Sequence, residues 1–229
     1  MPENELPRAS RASKPRNLVQ RARGMYYGWW LAIAGTIIGV FAALSQHSAT
    51  VFFLPISKEL NLSRAQTALV FSSARLEGSI EAPIVGYLND KIGARPMLLF
   101  GLSMAGGGFV LLAMLAHGFW SLLVIWVFII SLGFQAGFFS ALTPAMNTWF
   151  ARRRTTAISM LSSSNRVGAF IWVPILAYIT LQQSWREAAV IAGILIIVVT
   201  LPLSFLFRRS PESMGLHPDG DKDPPNAVA

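Results

Sequence analysis

The sequence predicts an all-α membrane protein of six transmembrane helices arranged as a 3+3 inverted repeat. Three observations predict it. The composition is apolar: 53% of the 229 residues are hydrophobic and 13% are charged, against about a quarter charged in ordinary soluble domains. The apolar residues gather into six runs, each long enough to cross a hydrocarbon core of about 30 Å, which takes about 20 helical residues. The chain also partly repeats itself at a shift of 91 residues.

A basic tail, residues 1–24, comes first. It has no apolar core followed by a small-residue cleavage site, so no removable signal peptide is predicted. The bundle occupies residues 25–207, with spans over Trp29–Phe53, Gln66–Leu88, Pro96–Ala116, Trp120–Asn147, Ala157–Leu181 and Ala188–Phe207. The third carries Gly101, Gly106, Gly107 and Gly108, small residues that let helices approach closely in lipid. A turn at residues 117–119 joins it to the fourth span, which is long and is expected to kink or end near Pro144. Trp29, Trp30, Trp120 and Trp185 stand at span ends, where aromatic belts form. A polar tail, residues 208–229, closes the sequence.

Orientation follows from Lys and Arg. Thirteen fall on one side: Arg8, Arg11, Lys14, Arg16, Arg21, Arg23, Lys91, Arg95, Arg152, Arg153, Arg154, Arg208 and Arg209. Three, Lys58, Arg64 and Arg186, fall on the other. The bias puts both termini in the cytoplasm of an inner (plasma) membrane protein. It also accounts for the net charge of +8 without nucleic acid as a partner. Cysteine is absent and the histidines, His47, His117 and His217, are scattered. Thiol chemistry, Cys-based metal sites and Ser/His/Asp catalysis therefore have no residues to stand on; no metal and no cofactor is expected.

The repeat lays FSSARLEGSIEAPIVGYL, from Phe71, over SSSNRVGAFIWVPILAYI, from Ser162. Identities are Ser72/Ser163, Ser73/Ser164, Arg75/Arg166, Ile80/Ile171, Pro83/Pro174, Ile84/Ile175 and Tyr87/Tyr178. Three spans per unit is odd, so the two triplets lie in opposite orientation, the arrangement of secondary transporters. Shared membrane composition explains matched apolar residues but not an Arg and a Pro at the same spacing.

Charges inside these spans cost roughly 2.5–3.5 kcal/mol each at a helix centre. Arg75, Glu77 and Glu81 lie in the second span and Arg166 in the fifth. Both arginines fall nine residues into their spans, about 13–14 Å deep. The glutamates are i,i+4 and share a face. Two readings stand: a water-filled pathway in which arginines attract anions and a glutamate carries a proton, or buried pairs that lock helices together. Gln46 and His47 in the first span, Gln135 in the fourth and Asn165 in the fifth add uncharged polar groups. His47 titrates near neutral pH when unperturbed.

The second loop reads GYLNDKIGARP, from Gly86. Gly86, Asp90, Lys91, Gly93 and Arg95 resemble the signature loop of the major facilitator superfamily; Ala94 departs, where a base is common. Gly86 permits close helix approach, Asp90 can meet a base or a helix N-terminus, and Gly93 allows the reversal. YYGWW before the first span, NTWFARRRTTA after the fourth, SWREA at the sixth and RRSPESMGLHPDG after it are similar to the oxalate/formate antiporter and monocarboxylate-transporter-like branch. The resemblance implies one half of a twelve-helix carrier, antiporter or symporter, moving small organic anions by alternating access. It makes Asp90 and Arg95 part of a cytoplasmic gate. It implies as partners a small solute, the lipid bilayer and a second six-helix half, supplied in cis, in trans or by a homodimer. The alternatives are a non-transporting six-helix protein, as a truncated product or assembly partner, and a membrane enzyme.

Overall fold

The computed structural model describes residues 26–208, so most of both tails, with Arg8 to Arg23 and Arg209, lies outside the described residues. Six helical rods run up and down: α1 Tyr27–Glu59, α2 Arg64–Ile92, α3 Ala94–Leu115, α4 Phe119–Trp149, α5 Arg154–Gln182 and α6 Trp185–Ser204. Five of them are long and apolar enough to cross a membrane. The exception is α2. Its 29 residues give it ample length, but Arg64, Arg75, Glu77, Glu81, Asp90 and Lys91 make it too polar.

The expected repeat has a geometric counterpart. Helices of the second triplet begin 92, 90 and 91 residues after their counterparts, at 119, 154 and 185 against 27, 64 and 94. Lengths run 33, 29 and 22 residues, then 31, 29 and 20.

Local chemistry sets the boundaries. Ser63 and Gln66 form a reciprocal capping box that starts α2, with Ser63 Oγ accepting from the Gln66 amide at 3.1 Å and Gln66 Oε1 accepting from the Ser63 amide at 2.9 Å. Gly93 adopts φ 96°, a left-handed value that favours glycine, and the chain turns there from α2 into α3. The turn between α3 and α4 is residues 116–118. The fourth rod does not end at Pro144; it continues to Trp149. Its departures from α geometry lie upstream, as π-helical stretches at Val124–Ser131 and Gln135–Phe139. A third occupies Ile196–Thr200 in α6.

Packing rests on small residues. α1 lies along α5, and α3 lies against both α4 and α6. A side chain on Gly101 would run into the backbone of Gly137, and one on Gly168 into the Val40 carbonyl. Gly106 and Gly108 also meet neighbours, whereas Gly107 faces open space. Two apolar clusters fill the interior. One includes Leu31, Leu98, Leu142 and Trp149; the other includes Phe52, Phe109, Trp126 and Trp185.

The two ends of the bundle are tied differently. At one, Glu59 accepts from Arg186 Nε at 2.7 Å and from Trp185 Nε1 at 2.5 Å. Arg186 also donates to the carbonyls of Ala113 and Ala116, closing the C-terminal end of α3. At the other, the Tyr26 hydroxyl donates to the Trp149 carbonyl and the Tyr27 hydroxyl to that of Leu206. Lys91, Arg95, Arg152, Arg153, Arg154 and Arg208 gather at this second end.

Candidate functional site

α1, α2 and α4 enclose a cavity of about 830 Å3. α1 packs closely on α5 instead, where Gly168 lies against the Val40 carbonyl.

The walls are chemically divided. Phe53, Phe71, Trp126, Phe134 and Phe139 supply apolar surface. Gln46 on α1 and Gln135 on α4 supply amides, and Ser72, Ser79 and Ser131 supply hydroxyls. Arg75 is the one charged residue in the lining. It lies within a helical turn of the centre of α2, and Arg166 within a turn of the centre of α5. Ser131 Oγ donates to the Ala74 carbonyl at 3.2 Å, tying α4 to α2 beside the cavity. A guanidinium facing amides and hydroxyls between aromatic walls suits a small anion with a short apolar body.

The polar residues picked out in the sequence separate into groups. Gln46, Arg75 and Gln135 share the cavity. His47 and Asn165 pair with each other, His47 Nε2 to Asn165 Oδ1 at 3.1 Å, and join α1 to α5. Arg166 is exposed on α5 and does not line the cavity. Glu77 and Glu81 lie about 160° and 120° around α2 from Arg75 at 100° per residue, and neither lines the cavity. Glu81 is only 7% exposed. Among the described residues neither arginine forms an ion pair with either glutamate, whereas Arg186 pairs with Glu59 at 2.7 Å.

The loop motif is placed as follows. Gly93 makes the reversal. Arg95 lies over the Phe205 ring, 5.1 Å from its centre, at the exit of α6. Asp90 and Lys91 are exposed, and among the described residues Asp90 meets neither a base nor a helix N-terminus. The close approach expected at Gly86 is not made, since a side chain there would meet nothing.

Ser72 and Ser79 also line the cavity; they stand at i−3 and i+4 from Arg75, and that spacing puts them on its face. Trp126 and Ser131 carried no such signal, because the π-helical stretch that aims them at the cavity leaves no mark in the sequence.

A profile of the Major Facilitator Superfamily matches residues 19–227. The probable sulfoacetate transporter SauU of Cupriavidus necator is 30% identical over 158 residues, 69% of this chain and 36% of that protein. Human monocarboxylate transporter 11 is 27% identical over 179 residues, 76% of this chain and 36% of the relative. Human monocarboxylate transporter 12 is 25% identical over 197 residues, 82% and 37%. The chain therefore spans a little over a third of the length of these relatives.

Proposed function

The chain belongs to the Major Facilitator Superfamily, and from that premise we propose that it acts as the N-terminal half of a secondary transporter for small organic anions. It is an integral multi-pass membrane protein and not an enzyme. The proposed solutes are short monocarboxylates or sulfonated carboxylates, moved by alternating access as this bundle rocks against a second one. In this reading α2 is the sixth span, the two triplets form a 3+3 inverted repeat, and both termini face the cytoplasm of an inner membrane. The matched helix starts and the basic residues at one end support it.

One observation carries the solute class. Among the described residues Arg75 is the one charge in a cavity otherwise lined by aromatic, small aliphatic, hydroxyl and amide groups. Its guanidinium takes the carboxylate or sulfonate, Gln46 and Gln135 take the remaining acceptors, and the rings enclose the body. Arg166, Glu77, Glu81, His47 and Asn165 act in coupling rather than at the cavity wall. Asp90 and Arg95 work with Gly86, Lys91 and Gly93 as the cytoplasmic gate against the second half.

The test is uptake of labelled sulfoacetate and short monocarboxylates into proteoliposomes holding the chain together with a second six-helix half. Uptake that disappears in Arg75→Ala while insertion persists is the expected result. Normal uptake in that variant removes the assignment. A second reading is a six-helix assembly partner with no solute of its own. Absence of solute binding by the wild-type chain in every assembly state would select it.

A further inference from the structure

We propose that the groove between the C-terminal end of α3 and the N-terminal end of α6 holds a phospholipid with a primary ammonium headgroup, its ammonium on Glu187 and an acyl chain lying along α3 past Gly107. The site is separate from the solute cavity and does not depend on which solute is carried.

The groove has a volume of about 350 Å3, and its lining changes character along α6. Gln183, Arg186 and Glu187 stand at the helix start, and Val190 and Ile191 follow one turn deeper, about 6 Å along the axis. Ala113 and Met114 of α3 form the opposite wall. The two helices are fixed beside it by a close crossing, since a side chain on Gly193 would run into the Gly106 carbonyl. The apolar part continues beyond the groove. Gly107, two turns along α3 from Met114, faces open space, and Ile194, one turn along α6 from Val190, is 49% exposed. The spacings i−7 and i+4 keep both on the faces of the residues they follow. The trough so formed is about 10 Å long.

Position selects an amphiphile. Both helices are long and apolar enough to cross a membrane, and the polar part of the groove lies at their ends, where headgroups meet acyl chains. A water-soluble ligand would leave the apolar trough without a function, whereas a lipid fills both parts.

Charge selects the headgroup. The Arg186 guanidinium is engaged within the protein: Nε donates to Glu59 at 2.7 Å, and the other nitrogens donate to the carbonyls of Ala113 and Ala116. Glu59 offsets its charge. Glu187 is exposed, and among the described residues no cation stands within ion-pair distance of it. Lys58 and Arg64, the other bases at this end, belong to α1 and α2 and do not line the groove. The groove mouth is therefore net negative. It attracts an ammonium and disfavours a headgroup whose only charge is its phosphate. With the ammonium on Glu187, the phosphate beside it accepts from the Gln183 side-chain amide.

The full chain in detergent micelles is titrated with phosphatidylethanolamine or phosphatidylglycerol of matched acyl chains, and bound lipid is read by native mass spectrometry. The ethanolamine lipid is expected to bind about tenfold more tightly, the scale of one hydrogen bond to a charged group. Glu187→Gln brings the ratio close to one, and Lys58→Gln, a charge removed at the same end but off the groove, leaves it unchanged. Gly107→Leu fills the trough and lowers binding of both lipids. Equal binding by the wild-type chain, tighter binding of the glycerol lipid, or a preference that survives Glu187→Gln overturns the proposal, as does binding untouched by Gly107→Leu. Should Glu187→Gln fail to insert, phosphatidylcholine on the wild-type chain decides. It keeps the positive charge but has no N–H to donate, so it binds less tightly than the ethanolamine lipid; equal binding overturns the primary-ammonium site. No arm uses solute, so a failure here and a failure of the Arg75 uptake test are told apart.

Discussion

Arg75 shows what a single residue can decide. In the proposed reading its guanidinium, on the wall of a half-apolar cavity, pairs with an anionic solute. A hydrogen bond to a charged group contributes about 1.5–3 kcal/mol, so Arg75→Ala lowers solute affinity roughly ten- to a hundred-fold. Arg75→Lys retains part of it, because the charge persists without the planar fork. Arg166 gives the contrast. It lies on α5, outside the cavity, so in the proposed reading Arg166→Ala leaves solute affinity of the isolated chain unchanged and lowers uptake only in the assembled transporter. Titration calorimetry of the purified variants, set beside vesicle uptake, separates the two. The sequence made both arginines legible, since a charge in an apolar run is conspicuous. It could not separate their roles, because depth along a helix is read from residue count whereas facing depends on which neighbours a helix finds. The same limit grouped Glu77 and Glu81 with Arg75, though 100° per residue turns them toward a different side.

Helices are where the sequence spoke most clearly. Apolar runs gave five rods long and apolar enough to cross a membrane, with α2 too polar to join them, and the helix starts are spaced by 90 to 92 residues. The π-helical stretches are not legible in the sequence, because the wider turn alters which residues face inward without altering composition. Close packing was half legible. Gly101, Gly106 and Gly108 lie at contacts, but Gly107, one position away from two of them, does not. The difference is testable. A side chain at Gly168 would meet the Val40 carbonyl and come within 2.6 Å of Ala43 Cβ, so Gly168→Leu separates α1 from α5. Overpacking of this kind costs about 1–3 kcal/mol, and the thermal midpoint of the detergent-solubilised protein falls. Gly107→Ala, with room to spare, leaves it unchanged or raises it, since alanine is the better helix former by about 1 kcal/mol. The loop between α2 and α3 yields a kinetic prediction. Asp90 is exposed and meets no base among the described residues, so its proposed partner is on the second half and its contact exists in one state of the cycle. Asp90→Asn then changes the maximal rate of exchange and spares solute affinity. An altered affinity at unchanged rate would contradict the gate.

At the scale of the molecule, most of the residues the two triplets share are left uncovered by this bundle, Ser73 and the buried Ser164 excepted. Ser72 and Ser163, Arg75 and Arg166, Ile80 and Ile171, Ile84 and Ile175, and Tyr87 and Tyr178 are all exposed on α2 and α5. Lipid is a poor environment for this surface, because an arginine at mid-depth costs roughly 2.5–3.5 kcal/mol there. A surface bearing one on each of two helices calls for protein cover or water. α3 and α6 differ. Leu111, Met114, Ile191 and Ile194 are exposed, and between its ends neither helix carries a charge on the exposed side, which suits contact with hydrocarbon. The second half is therefore expected on α2 and α5, with α3 and α6 left to the bilayer. Single cysteines at Ile84 and Ile175, labelled by a membrane-permeant reagent, become protected when the second half is added. Cysteines at Met114 and Ile194 react at the same rate with and without it. Protection of the α3 and α6 positions instead would place the partner on the wrong side of the bundle and leave the Arg75 cavity without the cover that alternating access requires.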